Sequence, residues 1–134
     1  MLTRMDYLRL RSQFVTELLD MPSVPKHIRA KFKEELLEKL DKGYAEYKDA
    51  SYSRPGKELL GEMQEEALDI PGWLSIEYAK MVKAGESEYN TGLIVNLAQM
   101  GLIAYHRAEL MKGMIEDADH REEQKEVYTA KTLT

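Results

Sequence analysis

Apolar residues recur at intervals of three and four along nearly the whole chain, and no stretch alternates apolar and polar residues as a half-buried strand would. This spacing is typical of an α-helix, which brings side chains back to one face about every 3.6 residues. Segments of the length seen here bury their apolar faces best by packing on one another. The sequence therefore predicts an all-α fold, an antiparallel bundle of about four long helices.

Prolines, glycines and one polar loop set the predicted ends of these helices. Pro22 and Pro25 end the first helix, and the segment DASYSRPG over residues 49–56 separates the second from the third. Pro71 lies inside the third helix, where it removes a backbone hydrogen bond and predicts a kink. The predicted helices run over residues 3–19, 25–48, 57–84 and 87–115.

The predicted domain organisation is one helical bundle over residues 1–116, followed by a polar C-terminal tail over residues 117–134 that is expected to be flexible. Within the fourth helix, residues 93–105 are apolar on most sides. A helix of this kind lies at the centre of a bundle or at a contact between copies of the chain, so we expect an oligomer.

Composition narrows the possible functions. The chain has no cysteine, which excludes disulfide frameworks, thiolate zinc sites and cysteine nucleophiles. Its net charge of −5 disfavours general nucleic-acid binding, which relies on basic residues. We expect a cytoplasmic protein without a membrane partner, because neither a secretory signal nor an apolar segment of spanning length is visible.

Two acidic clusters are the strongest functional signal. The first is EELLE over residues 34–38, and the second is EEALD over residues 65–69. Residues three or four apart share a helix face, so the carboxylates within each cluster stack and repel one another. Oxygen donors without nearby nitrogen or sulfur suit Mg²⁺ or Mn²⁺. The alternative is a pair of solvated faces, neutralised by surface pairs such as Glu35 with Lys39 and Glu38 with Lys42.

The order EExxE and then ExxD resembles the signature of the MazG-like, all-α nucleotide pyrophosphohydrolases. The intervening stretch, residues 42–52, resembles phage-type relatives, which carry a lysine, a tyrosine and an aspartate before an acidic helix. The resemblance covers about residues 28–81. It implies Mg²⁺- or Mn²⁺-dependent hydrolysis of a nucleoside triphosphate to the monophosphate and pyrophosphate, by a homodimer or homotetramer. Pro71 departs from the pattern, because relatives more often continue an unbroken helix after the aspartate.

The resemblance also assigns roles to residues of this chain. It implies that the metal ligands are Glu35, Glu38, Glu66 and Asp69, with Glu34 assisting. Within this set, Glu35 or Glu38 is the candidate to orient or deprotonate the attacking water.

Further candidates would bind the substrate. Lys42 and Tyr47 come from the stretch between the two motifs, and Tyr47 could line a base pocket together with Tyr44 and Tyr52. Arg54 and Lys57 flank the start of the third helix, where free N–H groups favour phosphate. A plain loop and helix cap is the alternative interpretation of that segment.

A second function stays open. The chain could be a helical interaction or nucleotide-binding module without catalysis, such as a phage accessory or structural protein, whose acidic clusters are solvated faces. Geometry discriminates between the two hypotheses, because a metal site requires Glu35, Glu38, Glu66 and Asp69 to converge.

Overall fold

The computed structural model describes the backbone of residues 2–133 and the side chains of residues 2–115. The described backbone is helical throughout, apart from short connections, and contains no strand. The all-α prediction is therefore confirmed. The elements are α1 (Arg4–Leu18), α2 (Lys26–Tyr47), a 3₁₀ helix (Lys48–Ser53), α3 (Gly56–Lys83) and α4 (Glu88–Leu133).

Local capping signals explain where the helices begin and end. The Thr3 side chain accepts from the Asp6 backbone N–H, and the Asp6 carboxylate accepts in return from the Thr3 N–H, which together form a capping box at α1. Ser87 Oγ accepts from Asn90 N–H at the start of α4. Gly85 ends α3 with a φ of +78°, a left-handed conformation that a glycine adopts without strain.

Two predicted boundaries differ from the structure. The segment expected to be a loop over residues 49–56 is largely the 3₁₀ helix Lys48–Ser53. The fourth helix was expected to end near Ile115, where its apolar stripe stops, but α4 ends at Leu133. Apolar periodicity predicts the part of a helix that packs on a neighbour, and helix formation itself does not require such a stripe.

The chain divides into two compact units, residues 1–54 and residues 55–134. The boundary lies inside the predicted single domain of residues 1–116. The predicted polar tail, residues 117–134, lies outside the residues whose side chains the structure describes, and its separate character stays a prediction.

The first unit is an antiparallel pair of helices, α1 and α2, with the 3₁₀ helix after them. Arg11 Nη1 lies 2.9 Å from Asp41 Oδ1 and ties the middle of α1 to the second half of α2. At the other end, Arg29 donates to the carbonyl oxygens of Leu19 and Val24, at 3.1 and 3.0 Å. These contacts fix the turn between the two helices.

In the second unit, α3 and α4 pack as an antiparallel hairpin with small residues at the contact. Ala67 and Ala108 are 4% and 2% exposed. Gln64 is also buried, and its Nε2 donates to the Tyr105 carbonyl at 3.2 Å and to Glu109 Oε2 at 2.7 Å. The buried amide is thus satisfied, and the small side chains allow the two backbones to approach closely.

The two helices approach each other closely at Gly101. A Cβ atom at this position would lie 2.5 Å from the Ala67 carbonyl oxygen and 2.9 Å from Pro71 Cδ. Pro71 has no N–H to donate to the Ala67 carbonyl four residues earlier, so this carbonyl lacks its usual helical partner. α3 nevertheless continues through Pro71 without ending there, and the kink predicted at this position stays a prediction.

Candidate functional site

The first acidic cluster lies in the middle of α2. Glu34, Glu35 and Glu38 are all exposed, whereas Leu36 and Leu40 of the same helix are half-buried. The helical period places Glu34 and Glu38 on one face, one turn apart, with Glu35 three residues before Glu38. The first unit therefore presents these three carboxylates to its exterior.

The second acidic cluster lies in the first half of α3. Gln64 and Ala67 are buried against α4, and Glu66 and Asp69, which are three residues apart, are exposed. Within the second unit, these two carboxylates also lie on the outside of the helix, where water or a ligand has access to them.

The surface pairs that would neutralise the clusters are not formed. Among the described side chains, neither Glu35 with Lys39 nor Glu38 with Lys42 makes an ion pair within 4.0 Å. Glu66 and Asp69 likewise have no ion-pair partner in the described part of the chain. No described side chain is thus within ion-pair distance of these carboxylates, although Lys31, Lys39 and Lys42 lie three or four residues from members of the first cluster.

A formed metal centre is not found. Over the residues with described side chains, no group of three or more histidine, aspartate or glutamate side chains is placed to hold a metal ion. The carboxylates of each cluster are brought together only as neighbours on one helix. Convergence of the two clusters around one cation stays a prediction.

The predicted substrate-binding residues occupy different environments. Lys42 is exposed on α2, and Tyr47, the last residue of this helix, is 60% exposed. Arg54 is half-buried and Lys57 is exposed in the first turn of α3. That turn follows Pro55, which makes no side-chain capping hydrogen bond.

Sequence reasoning missed a cluster of one arginine and three tyrosines in the first unit. Arg4 Nη1 donates to the Tyr52 hydroxyl at 2.6 Å, and the Arg4 guanidinium carbon lies 3.5 Å from the centroid of the Tyr44 ring. The Tyr52 ring lies 4.9 Å from that of Tyr7 and 6.4 Å from that of Tyr44, between centroids. These contacts attach the 3₁₀ helix to the start of α1 and the end of α2.

The electrostatics of this cluster follow from its packing. Burial raises the pKa of the Tyr44 hydroxyl, and the nearby Asp49 carboxylate adds to the increase. The hydrogen bond to Tyr52 raises the pKa of the Arg4 guanidinium. Tyr44 and Tyr52, which were candidates for a base pocket, are thus engaged with Arg4, and Tyr47 alone of the three is largely exposed. Spacing along the sequence carries no signal for a contact between residues 4 and 52.

No known protein family matches the chain, and no curated protein or solved structure matches it. Within the described residues, no helix combines the length and the apolar character needed to cross a membrane.

Proposed function

We propose that the chain is a divalent-metal-dependent nucleotide pyrophosphohydrolase of the MazG-like type, which hydrolyses nucleoside triphosphates to the monophosphate and pyrophosphate. The observation that carries the proposal is the set of motif carboxylates, Glu34, Glu35, Glu38, Glu66 and Asp69. All five are exposed and lack an ion-pair partner among the described side chains. Carboxylates that stack on one helix face and make no ion pair within 4.0 Å offer oxygen donors to a cation.

The donor chemistry fits Mg²⁺ or Mn²⁺, because every proposed ligand is a carboxylate oxygen. When bound, the metal would neutralise phosphate charge and lower the pKa of a coordinated water. The proposal requires both clusters to approach the same triphosphate, either within one chain or between copies in a homodimer or homotetramer. Glu35 or Glu38 would then orient the attacking water and take its proton.

The remaining roles concern substrate binding. Lys42, Arg54 and Lys57 carry the positive charge that would hold the phosphates, and Tyr47 offers an exposed ring for stacking on a base. Arg54 and Lys57 lie beside the first turn of α3, whose N–H groups add further donors for an anion.

Turnover tests the proposal directly. The pure protein is incubated with a panel of nucleoside triphosphates, with and without Mg²⁺ or Mn²⁺, and released pyrophosphate is measured. We expect metal-dependent release that Glu38→Gln and Asp69→Asn abolish, with unchanged helix content by circular dichroism. Glu17→Gln and Asp20→Asn are matched controls, because both residues are exposed and lie outside the clusters. Undiminished turnover in both cluster variants removes these residues from the mechanism.

A specific observation favours a second candidate, a helical interaction module without catalysis. Large apolar side chains are exposed on both helices of the second unit, including Trp73 at 75%, Leu102 at 66% and Met100 at 62%. Exposed apolar surface of this kind marks interaction sites. This candidate predicts self-association in sedimentation velocity that Met100→Glu weakens, with no pyrophosphate released from any nucleotide.

A further inference from the structure

Large apolar side chains from both helices line one side of the α3–α4 hairpin. Ala67 of α3 and Gly101 and Ala108 of α4 lie in the contact between the helices, and the helical period then fixes where the other side chains lie around each axis. One stripe on each helix flanks this contact at intervals of three and four residues. The α3 stripe is Leu59, Met63, Glu66, Ile70, Trp73 and Glu77, and the α4 stripe is Leu93, Leu97, Met100, Ala104, Arg107, Met111 and Met114.

The two stripes lie on the same side of the hairpin and together form its apolar face. Each stripe is rotated from the helix contact in the same sense, by roughly 90° on average, and two right-handed helices that run antiparallel turn such residues to the same side. Gln64 and Glu109 are both rotated in the opposite sense, and the 2.7 Å hydrogen bond between them shows that residues placed in this way do share a side.

A single hairpin leaves this face uncovered. Its large apolar side chains range from 41% exposed at Ile70 to 75% exposed at Trp73, whereas the buried apolar residues of the helix contact are Ala67 and Ala108. No large side chain in the described part of the chain is less than 2% exposed. Two helices bury only the contact between them, and four helices packed in two layers enclose a core. A second helical layer on the apolar face would complete such a core.

The size of the face is that of a homodimer interface. The nine large apolar residues of the two stripes are on average about half exposed, and a residue of this size has roughly 200 Å² of surface, so the face offers on the order of 900 Å². A stable interface buries about 800 Å² on each partner, and the interfaces of homodimers are the more apolar ones. One further copy of the same face is thus large enough and apolar enough to cover it.

The charges on the face complement those of a second copy. Two contacts set the relative heights of the helices, that of Gly56 with Ile115 and that of Ala67 with Gly101. They place Arg107 two to five residues from Glu66 along the axis, which is about 3–8 Å. When α3 of one copy faces α4 of another at the same height, Glu66 therefore lies within reach of Arg107 at two symmetric positions. Both side chains are exposed, and neither makes an ion pair with a described side chain. Glu77, the other charged member, is the last residue of its stripe.

We infer that two copies of the chain pack their apolar faces together and form a four-helix bundle. A two-fold axis parallel to the helices sets α3 of each copy against α4 of the other, which keeps neighbouring helices antiparallel and joins Glu66 to Arg107 of the second copy. This assigns an interface to the oligomer expected from residues 93–105. It rests on the apolar face and holds whether or not the chain hydrolyses nucleotides. A carboxylate accepts at two oxygens, so Glu66 keeps one for the cation of the proposed function.

Sedimentation velocity of the full chain over a range of concentrations tests the inference, and the chain should sediment as a dimer. Met100→Glu places a carboxylate in the middle of the α4 stripe and should raise the dimer Kd at least tenfold, which corresponds to about 1.4 kcal/mol. Leu102→Glu is the matched control, because Leu102 is slightly more exposed, at 66% against 62%, and lies on the other side of the hairpin. It should change the Kd less than about twofold. Circular dichroism checks that both variants keep their helix content.

Charge reversal tests how the two copies are arranged. Glu66→Lys alone and Arg107→Glu alone each set like charges opposite one another, so each should weaken the dimer several-fold. The variant with both changes restores opposite charges at both symmetric positions and should dimerise like the wild type. Failure of the double variant to recover would refute the arrangement that sets α3 against α4 of the second copy.

Two further results would overturn the inference. One is a monomer at every concentration, and the other is an equal loss of dimer in Met100→Glu and Leu102→Glu. The chain has no cysteine, so Met100→Cys offers a single site for a maleimide, and slow labelling of that site in a monomer would identify another part of the same chain as the cover of the face. Pyrophosphate release tests the proposed function separately, because a dimer that releases none leaves this interface intact.

Discussion

Replacing Gly101 by alanine should destabilise the α3–α4 hairpin, although alanine is the better helix former. A Cβ at this position would lie 2.5 Å from the Ala67 carbonyl oxygen, 2.9 Å from Pro71 Cδ and 3.4 Å from Ile70 Cβ. Two of these three atoms belong to a backbone carbonyl and a proline ring, which cannot rotate away. The helices must therefore separate or shift along each other to admit one methyl group.

Two opposing effects set the magnitude. Overpacking of a tight contact costs about 1–3 kcal/mol, whereas Gly→Ala in a helix interior gains about 1 kcal/mol of propensity. Gly113 on the same helix provides the matched control, because a Cβ there would meet no atom within 4 Å among the described residues beyond its own stretch of helix. Gly113→Ala should therefore stabilise the chain by about 1 kcal/mol, and Gly101→Ala should lie about 1–3 kcal/mol below it, which is the overpacking cost alone.

Urea denaturation of both variants, followed by circular dichroism at the helical band, measures this difference. A second comparison isolates the cause. In a Pro71→Ala background the contact at 2.9 Å is absent, so Gly101→Ala should cost less there than in the wild type. Equal stabilities of the Gly101→Ala and Gly113→Ala variants would refute the close approach of the two helices.

Three other predictions concern the stability of the chain, and each is checked by an unfolding measurement. Lys48 has φ +52° and ψ −135°, a conformation that glycine favours, so Lys48→Gly should raise the free energy of unfolding by about 1 kcal/mol, whereas Lys39→Gly within α2 should lower it by a similar amount. Hydrogen bonds with Thr3 lower the pKa of Asp6 from its ordinary value of 3.8. The charged carboxylate therefore stabilises the folded state at pH 7, and this contribution is lost as the pH falls below 3.8 through the folded-state pKa. The difference in melting temperature between wild type and Asp6→Asn should shrink over that range. Mg²⁺ at one hundred times its Kd should raise the free energy of unfolding by about 2.7 kcal/mol, and an equal increase in Glu38→Gln would count against a metal at this residue.

The helices were predictable because their signals are local. Thr3 was the predicted first residue of α1 and is its N-cap, and Pro25 occupies the same position before α2. Ser87, the predicted start of α4, accepts the capping hydrogen bond from Asn90. Each signal acts within one helical turn, so the sequence alone specifies it.

The candidate site was less predictable because it depends on contacts between distant residues. Arg4 meets Tyr52 across 48 positions of sequence, and neither residue stands out by composition or spacing. The division at Arg54 likewise reflects packing that accumulates over whole helices rather than any one motif. Local spacing predicted correctly that Glu34 and Glu38 would be neighbours on α2, but it carries no information on what lies opposite them in space.

Ion pairs between residues one helical turn apart form on α1 and α4 but not at Glu38 of α2. On α1, Arg9 lies 3.9 Å from Asp6, three residues earlier, and on α4, Lys112 lies 3.9 Å from Glu109. On α2, Glu38 has a lysine four residues later and does not pair with it. Repulsion between like charges one turn apart costs a helix about 0.2–0.5 kcal/mol per pair, and an ion pair at the same spacing would offset it. The Glu38 carboxylate therefore has no ion pair within 4.0 Å among the described side chains, which leaves it accessible to the cation that the proposed function requires and equally to water.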